Sequence, residues 1–394
     1  MAKLRQKELL EELKNYLLAN QTAIRRYFVA LVEQNSGTFN KEGVDRVGQI
    51  IRENLGNTAL KVTTRYHRKF GNLLYFRSAF KKGLPRLLIS GHTDTVFEPS
   101  SGMSRVEIIN DFLRGSGSCD MKGGLVVATY ALKLLGKIGQ LFNVDLLLTP
   151  DEEQGSKAFR RLQNVIYRKY DYAIVLEGAG QKMEACVERK GVGKIVLDVF
   201  GRAGHSGHKN IKAANAIEEI CQKIPRIVAL GRGEAGTTIN VGTVSGGEKL
   251  NVVASHARAE FDVRYFDFTE VDRIRKSLNL IEKDVVIKGT KTKVRLEAFS
   301  PPMIANAKSL ELLHVAQKVN QTLFGKDLGV GRRGGGSDGN IISQQSVGVL
   351  DGLGILGKYI HTSEEEAYLP SINDRVLLLV GVVLKCQNNS LWIN

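Results

Sequence analysis

The stretch L-L-I-S-G-H-T-D-T, Leu87 to Thr95, carries the fold. Leu87-Leu88-Ile89-Ser90 runs without a charged break, as a strand covered on both faces does, whereas a strand with one wet face alternates. His92 and Asp94 follow at once. Two further stretches repeat the design: Val144 to Thr149 leads into P-D-E-E-Q-G-S, and Tyr172 to Leu176 leads into Glu177. Between them, Lys122 to Lys137 has a helical pattern. Strands alternating with helices predict an α/β fold, a mainly parallel sheet flanked by helices. Loops leaving the carboxyl ends of such strands converge on one crevice, so His92, Asp94, Glu152, Glu153 and Glu177 are expected to meet there.

The pattern changes near residue 190. From Val192 to Phe299 it reads strand (Gly193 to Gly201), helix (Ile211 to Leu230), two strands (Thr237 to Ser245, Ala259 to Phe266), helix (Thr269 to Ile281) and further strands. This β-α-β-β-α-β order is ferredoxin-like. After Pro301-Pro302 the first pattern resumes, with a helix from Ser309 to Phe324, a strand near Val347 to Leu350 and a helix from Ile372 to Gln387. The expected organisation is a metal-binding domain in two parts, residues 1–190 and 302–394, with an α+β domain, residues 191–301, inserted for dimerisation or as a lid. A chain of 394 residues is long enough for two cores.

Composition permits a soluble enzyme: 43% of residues are apolar and 25% charged. The first residues, M-A-K-L-R-Q-K-E-L-L-E-E-L, lack the apolar run of a signal peptide or membrane span, so a cytoplasmic location without membrane association is expected. Cys119, Cys186, Cys221 and Cys386 form no CxxC pair, which fits reduced thiols. The net charge of +15 suits an anionic partner, but the basic residues are spread along the chain and carry no aromatic-basic motif, so nucleic acid is not expected to be one.

Two more motifs extend the acidic and imidazole set: G-S-G-S-C-D-M-K-G-G around Asp120, and Y-I-H-T-S-E around His361. A single histidine is usually a surface or core residue, and D-E-E alone is usually a solvated turn. Together, five strand-end segments supply the oxygen and nitrogen ligands that a pair of divalent ions needs. The glycines near Asp120 match no nucleotide fingerprint, since no G-K-[ST] follows, and read as a tight turn presenting the aspartate. Cys119 reads as packing beside the site rather than a nucleophile, and Asp151 as a charged loop residue.

In order and spacing these motifs resemble the co-catalytic dizinc exopeptidases and deacylases: glutamate carboxypeptidase of the carboxypeptidase G type, acetylornithine deacetylase, succinyl-diaminopimelate desuccinylase and aminoacylase. The resemblance runs from H-T-D to H-T-S-E, nearly the whole chain. It implies that Asp120 bridges two Zn²⁺ ions per subunit, with Co²⁺ or Mn²⁺ as possible replacements. His92 and Glu177 would complete one shell, Glu153 and His361 the other. It implies that Asp94 orients His92 and that Glu152 is the general base.

In G-R-A-G-H-S-G-H, the resemblance implies that His205 reaches a neighbouring active site across a homodimer interface and steadies an oxyanion. His208 has no counterpart and reads as a surface residue. Asn240, Arg264 and Arg332 match binders of a substrate carboxylate, which an arginine grips with two parallel hydrogen bonds. A strand-surface charge is the other reading of Arg264. Gly335, within the run Gly334 to Gly336, would let backbone amides approach the same carboxylate. The activity implied is hydrolysis of the amide bond before a C-terminal amino acid in a small peptide or N-acyl amino acid, most like a glutamate carboxypeptidase. The alternatives are an N-acyl amino acid deacetylase or desuccinylase, and a non-catalytic binding dimer that keeps the fold.

Overall fold

The structure, a computed structural model, describes residues 2–102, 105–207 and 212–388. The chain divides into two compact units: Met1–Val187 with Ala305–Arg332 and Ser337–Asn394, and Glu188–Ile304 with Arg333–Gly336.

The first unit is built on a six-stranded sheet in the order Lys61–Arg65, Leu73–Arg77, Val144–Thr149, Leu87–His92, Tyr172–Val175, Gly348–Leu350. The last four are parallel; Leu73–Arg77 pairs antiparallel with Val144–Thr149. Leu87–His92 and Val144–Thr149 are buried at every position, as their apolar runs require. Their register sets His92 opposite Thr149, so His92 and the D-E-E loop leave the sheet at the same edge.

The helices Gly123–Lys137 and Ser371–Cys386 are apolar on nearly all sides and pack on one another as interior helices. Leu132, fully buried in the first, would cost roughly 2–5 kcal/mol if cut to alanine. A small sheet of very short strands, Glu107–Ile109, Phe112–Arg114, Gly357–Lys358 and Glu366–Tyr368, holds the loop that carries His361. Strands of two or three residues leave no periodicity for a sequence reading to detect.

The second unit is a four-stranded antiparallel sheet, ordered Thr238–Gly246, His256–Tyr265, Gly191–Phe200, Lys291–Ser300, with the helices Ala216–Val228 and Phe268–Lys283 packed on it. His256–Tyr265 alternates strictly: Ala257, Ala259, Phe261, Val263 and Tyr265 join the core, while Arg258, Glu260, Asp262 and Arg264 point away from it. The helix expected from Ile211 begins at Ala216, because the Asn215 side chain accepts the Ile217 N–H and caps it there. Ile211 itself lies outside the described residues.

Candidate metal centre

His92 ends its buried strand with its ring 1% exposed. Nε2 lies 3.1 Å from Asp120 Oδ1 and 3.6 Å from Glu177 Oε1. On its other side, Nδ1 is 3.0 Å from the Asp94 carbonyl oxygen and 3.3 Å from Asp94 Oδ1. The Asp94 carboxylate also accepts the N–H groups of Glu152 (3.1 Å) and Glu153 (3.3 Å) and the Thr38 hydroxyl (2.7 Å). One buried aspartate thus orients the imidazole and fixes the D-E-E turn together.

Asp120 stands where the chain turns into the helix Gly123–Lys137. Gly117 has φ of 69°, and a Cβ there would meet Thr95 Cγ2 at 2.5 Å, so the turn needs glycine. Gly124 lies so close to the Leu176 carbonyl that a Cβ would approach it to 2.1 Å. The peptide bond after Asp120 is cis. Glu365 Oε1 accepts the N–H groups of Cys119 and Asp120 at 2.8 and 2.9 Å. Cys119 is fully buried, its sulfur against Gly178 and Gly357.

His361 Nε2 lies 3.0 Å from Asp120 Oδ2 and 3.5 Å from Glu153 Oε2. It is a non-glycine residue in the left-handed region, φ 64°, a conformation that costs about 1 kcal/mol. The ligand atoms therefore form two trios that share Asp120: His92, Asp120, Glu177 and Asp120, Glu153, His361, the atoms of each within 4.8 Å of one another. In the first trio His92 and Glu177 are buried and Asp120 partly so; the second opens outward at His361, whose side chain is 51% exposed.

The charges in this cluster do not balance. Burial pushes Glu152 well above the ordinary carboxylate range; the His92 imidazole opposes this, while the charges of Glu177, Glu153 and Asp338 add to it. Burial raises Glu153 as well, followed by the charge of Asp120. Burial also works against ionised Asp120, but hydrogen bonds from His361 and His92 outweigh it and hold Asp120 below its usual value. Hydrogen bonds donated to Asp120 and then to Glu153 lift His361 to about 10. Glu153 Oε1 is buried with no hydrogen-bond partner among the described residues. An excess of carboxylates, an orphaned oxygen and two imidazoles aimed at one aspartate fit divalent cations, which replace the shared protons when they bind.

Sequence reasoning missed several contributors. Thr38 carries no motif, and Glu365 follows H-T-S-E inside an acidic run. Asp151, expected to be a charged loop residue, is instead fully buried: its Oδ2 accepts the Ala158 N–H at 2.8 Å, and burial pushes its carboxyl up to about 6.

The remaining expected site residues are not among the two ligand trios. His205, Asn240, Arg264 and Gly335 belong to the second unit, and Arg332 to the first. His205 is exposed, and its Nδ1 accepts the Gly207 N–H at 3.2 Å. Asn240 is exposed and stands opposite Asp262 in the sheet register. Arg264 Nε donates to Asp262 at 2.8 Å, so a carboxylate partner already engages it on the strand surface. Arg332 is exposed. Nothing stands within 4 Å of a Cβ built on Gly334 or Gly335, and the Gly335 carbonyl accepts from the buried Arg189 at 3.3 Å. His208 lies outside the described residues.

This fold, with two imidazole-carboxylate trios hinged on one aspartate, defines a metal-dependent hydrolase. The sequence matches Peptidase family M20/M25/M40 over residues 88–385, and the chain belongs to that family. It is 26% identical to carboxypeptidase G2 of Pseudomonas sp. (strain RS-16) over 88% of this chain and 85% of that one. It is also 26% identical to a succinyl-diaminopimelate desuccinylase of Bradyrhizobium sp. (strain ORS 278), over 76% of this chain and 82% of that one. Among solved structures, a Staphylococcus aureus tripeptidase superposes with a TM-score of 0.81 at 22% identity, covering 94% of this chain and 99% of its own. A dinuclear metal binding peptidase of the M20 family from Bacillus subtilis superposes at 0.71 with 14% identity, covering 94% and 99%. Among the described residues, no helix is long and apolar enough to cross a membrane.

Proposed function

We propose that the chain is a carboxypeptidase that hydrolyses the amide bond preceding a C-terminal amino acid, glutamate first among candidates, in a small peptide or N-acyl amino acid. One observation carries the hydrolytic reading: Asp120 is shared by two ligand trios, and Glu152, which belongs to neither, lies close enough for the charges of His92, Glu177 and Glu153 to act on it. His92, Asp120 and Glu177 would hold one ion, Asp120, Glu153 and His361 the other, with Zn²⁺ the natural choice for this donor set and Co²⁺ or Mn²⁺ as substitutes. Bound ions of this kind polarise a carbonyl and acidify water.

Glu152, lifted in pKa by burial, takes the proton of the attacking water and delivers it to the leaving nitrogen. Asp94 keeps the His92 ring and the Glu152 backbone in place for this step. In this reading His205, contributed by a second copy of the chain, donates to the developing oxyanion, and Asn240, Arg264, Arg332 and the Gly335 backbone receive the free carboxylate. For Arg264 this requires exchanging Asp262 for substrate. All four cysteines are free thiols, which supports a reducing, cytoplasmic setting. The likeness to a desuccinylase favours N-acyl amino acid deacylation as the second reading.

The test is release of free amino acid from peptidyl-glutamates, other dipeptides, N-acetylornithine and N-succinyl-diaminopimelate, with added Zn²⁺ or Co²⁺ and a chelated control. Chelator-sensitive release from peptidyl-glutamates supports the carboxypeptidase. Release only from the acetyl or succinyl compounds transfers the assignment to a deacylase. No release from any of them, at full metal occupancy, overturns the catalytic reading for these substrates.

A further inference from the structure

Asp338, in the run G-G-G-S-D-G, is 2% exposed and belongs to neither ligand trio, although its charge adds to the raised Glu152 carboxyl. Its carboxylate receives two hydroxyls that bracket the D-E-E loop. Thr149 Oγ1, on the last residue of the strand before the loop, donates to Oδ2 at 2.7 Å. Ser156 Oγ, on the first residue after Gly155, donates to Oδ1. Both hydroxyl residues are fully buried, and Ser156 has φ of 49°, where a non-glycine residue stays only if its surroundings hold it.

The backbone beside Asp338 is itself anchored by hydrogen bonds. Ser337 caps the short helix Asp338–Ile342 by accepting the Gly339 N–H at 3.0 Å, and donates its hydroxyl to Asp351 at 2.6 Å. The Ser337 N–H is in turn held by Asn340 Oδ1 at 2.9 Å.

We infer that Asp338 is a positioning residue that clamps both ends of the Pro150–Gly155 loop and so fixes Glu152 and Glu153 above the sheet edge. Burying a carboxylate costs free energy, and two hydroxyls could be bridged by a neutral amide at lower cost if packing were the only requirement. A carboxylate accepts at both oxygens, whereas an asparagine accepts at one and forces the second hydroxyl to turn round. Asp94 holds the middle of the loop through the Glu152 and Glu153 amides, and Asp338 holds its ends. A catalytic carboxylate displaced by a fraction of an ångström to an ångström loses rate steeply, up to about 100-fold.

The inference rests on Glu152 acting as the base, so its test pairs turnover with a measurement that needs no substrate. Asp338→Asn, Thr149→Val and Thr149→Ser are prepared as metal-loaded full-length protein. Hydrogen exchange is followed by mass spectrometry in the peptide spanning residues 150–158, beside kcat, KM, metal content and melting temperature. Asp338→Asn and Thr149→Val are expected to speed exchange in that peptide at least fivefold and to lower kcat about tenfold, with KM, metal content and melting temperature retained; Thr149→Ser, which keeps the hydroxyl, restores both. Wild-type exchange in Asp338→Asn and Thr149→Val overturns the clamp. So does a loss matched by metal release or unfolding, or a Thr149→Ser as impaired as Thr149→Val. Faster exchange in a protein that turns over none of the substrates keeps the clamp and rejects the carboxypeptidase reading alone.

Discussion

In the second unit, Glu219 and Lys223 are fully buried one turn apart on the helix Ala216–Val228, 3.0 Å from each other. The Lys223 ammonium also donates to the Ile281 carbonyl at 2.8 Å and the Thr292 hydroxyl at 2.7 Å, and Glu219 accepts the N–H groups of Val286 and Ile287. In the first unit, Asp120, Glu153 and Glu177 gather with two imidazoles, and Glu153 is left with a buried oxygen that has no hydrogen-bond partner among the described residues. Both clusters carry the desolvation cost of buried charge. The pair in the second unit is neutral and saturated by protein alone, which is how a structural ion pair persists. The cluster in the first unit is left unsaturated among the described residues, which is what a binding site for an added cation requires.

The largest expected effect lies on the unsaturated side. Glu152→Gln keeps the shape of the loop and both ligand trios but removes the base, so kcat should fall about 10³-fold, about 4 kcal/mol of transition-state stabilisation, with two ions still bound. Turnover and metal content measured on one preparation decide this; wild-type rates would remove Glu152 from the mechanism. On the saturated side, Lys223→Met leaves Glu219 buried without its cation and should lower stability to urea by about 3 kcal/mol while metal content stays at the wild-type level. Glu153→Gln should act in the opposite sense in metal-free protein, raising stability by about 1 kcal/mol because it relieves repulsion, while weakening metal binding. Destabilisation of the metal-free Glu153→Gln protein would show that the two clusters do not differ in the way described.

Much of this was legible in the sequence, for physical reasons. The unbroken apolar runs at Leu87, Val144 and Tyr172 announce strands covered on both faces, and the residues that follow each run land at one sheet edge because parallel strands end on the same side. On that ground His92, Glu153 and Glu177 could be grouped without a structure, whereas Asp120 and His361 joined them only through their motifs and the family resemblance. What the sequence hid is what depends on tertiary contact. Thr38 reaches Asp94 across 56 residues, and Glu365 reaches the Asp120 amide across 245. Neither contact has a local pattern. Asp151 misled because an acidic triplet in a turn looks the same whether its first member faces water or, as here, turns back to accept the Ala158 N–H. The two- and three-residue strands around His361 fall below the length at which alternation can be seen.

The support beneath the metal ligands should give a smaller effect. Thr38→Val is nearly isosteric and removes one of the donors that hold the Asp94 carboxylate, so metal affinity should fall about tenfold, about 1.4 kcal/mol, with little change in melting temperature. Competition against a chelator of known affinity reads this directly. An unchanged affinity would mean that the Glu152 and Glu153 amides and the His92 ring are enough to hold Asp94.

The smallest effect belongs to the second unit and separates the two kinds of charge by pH. Glu270 is 7% exposed and accepts Arg273 Nε and Nη2 at 2.8 and 2.6 Å and the Thr237 hydroxyl at 2.7 Å. The Arg273 hydrogen bonds are the main cause that lowers its carboxyl to about 2, against the opposing pull of burial. A carboxyl whose folded pKa lies below its unfolded value of about 4.3 stabilises the fold fully above that unfolded value and loses the contribution as pH falls toward about 2. Arg273 is partly exposed, so water screens the pair and the contribution is on the order of 1 kcal/mol. Glu270→Gln should therefore be less stable than wild type at pH 6, with the difference shrinking as pH falls to 3. A gap between the two proteins that stays constant over that range would mean that the Glu270 contacts stabilise through shape and hydrogen bonding rather than charge.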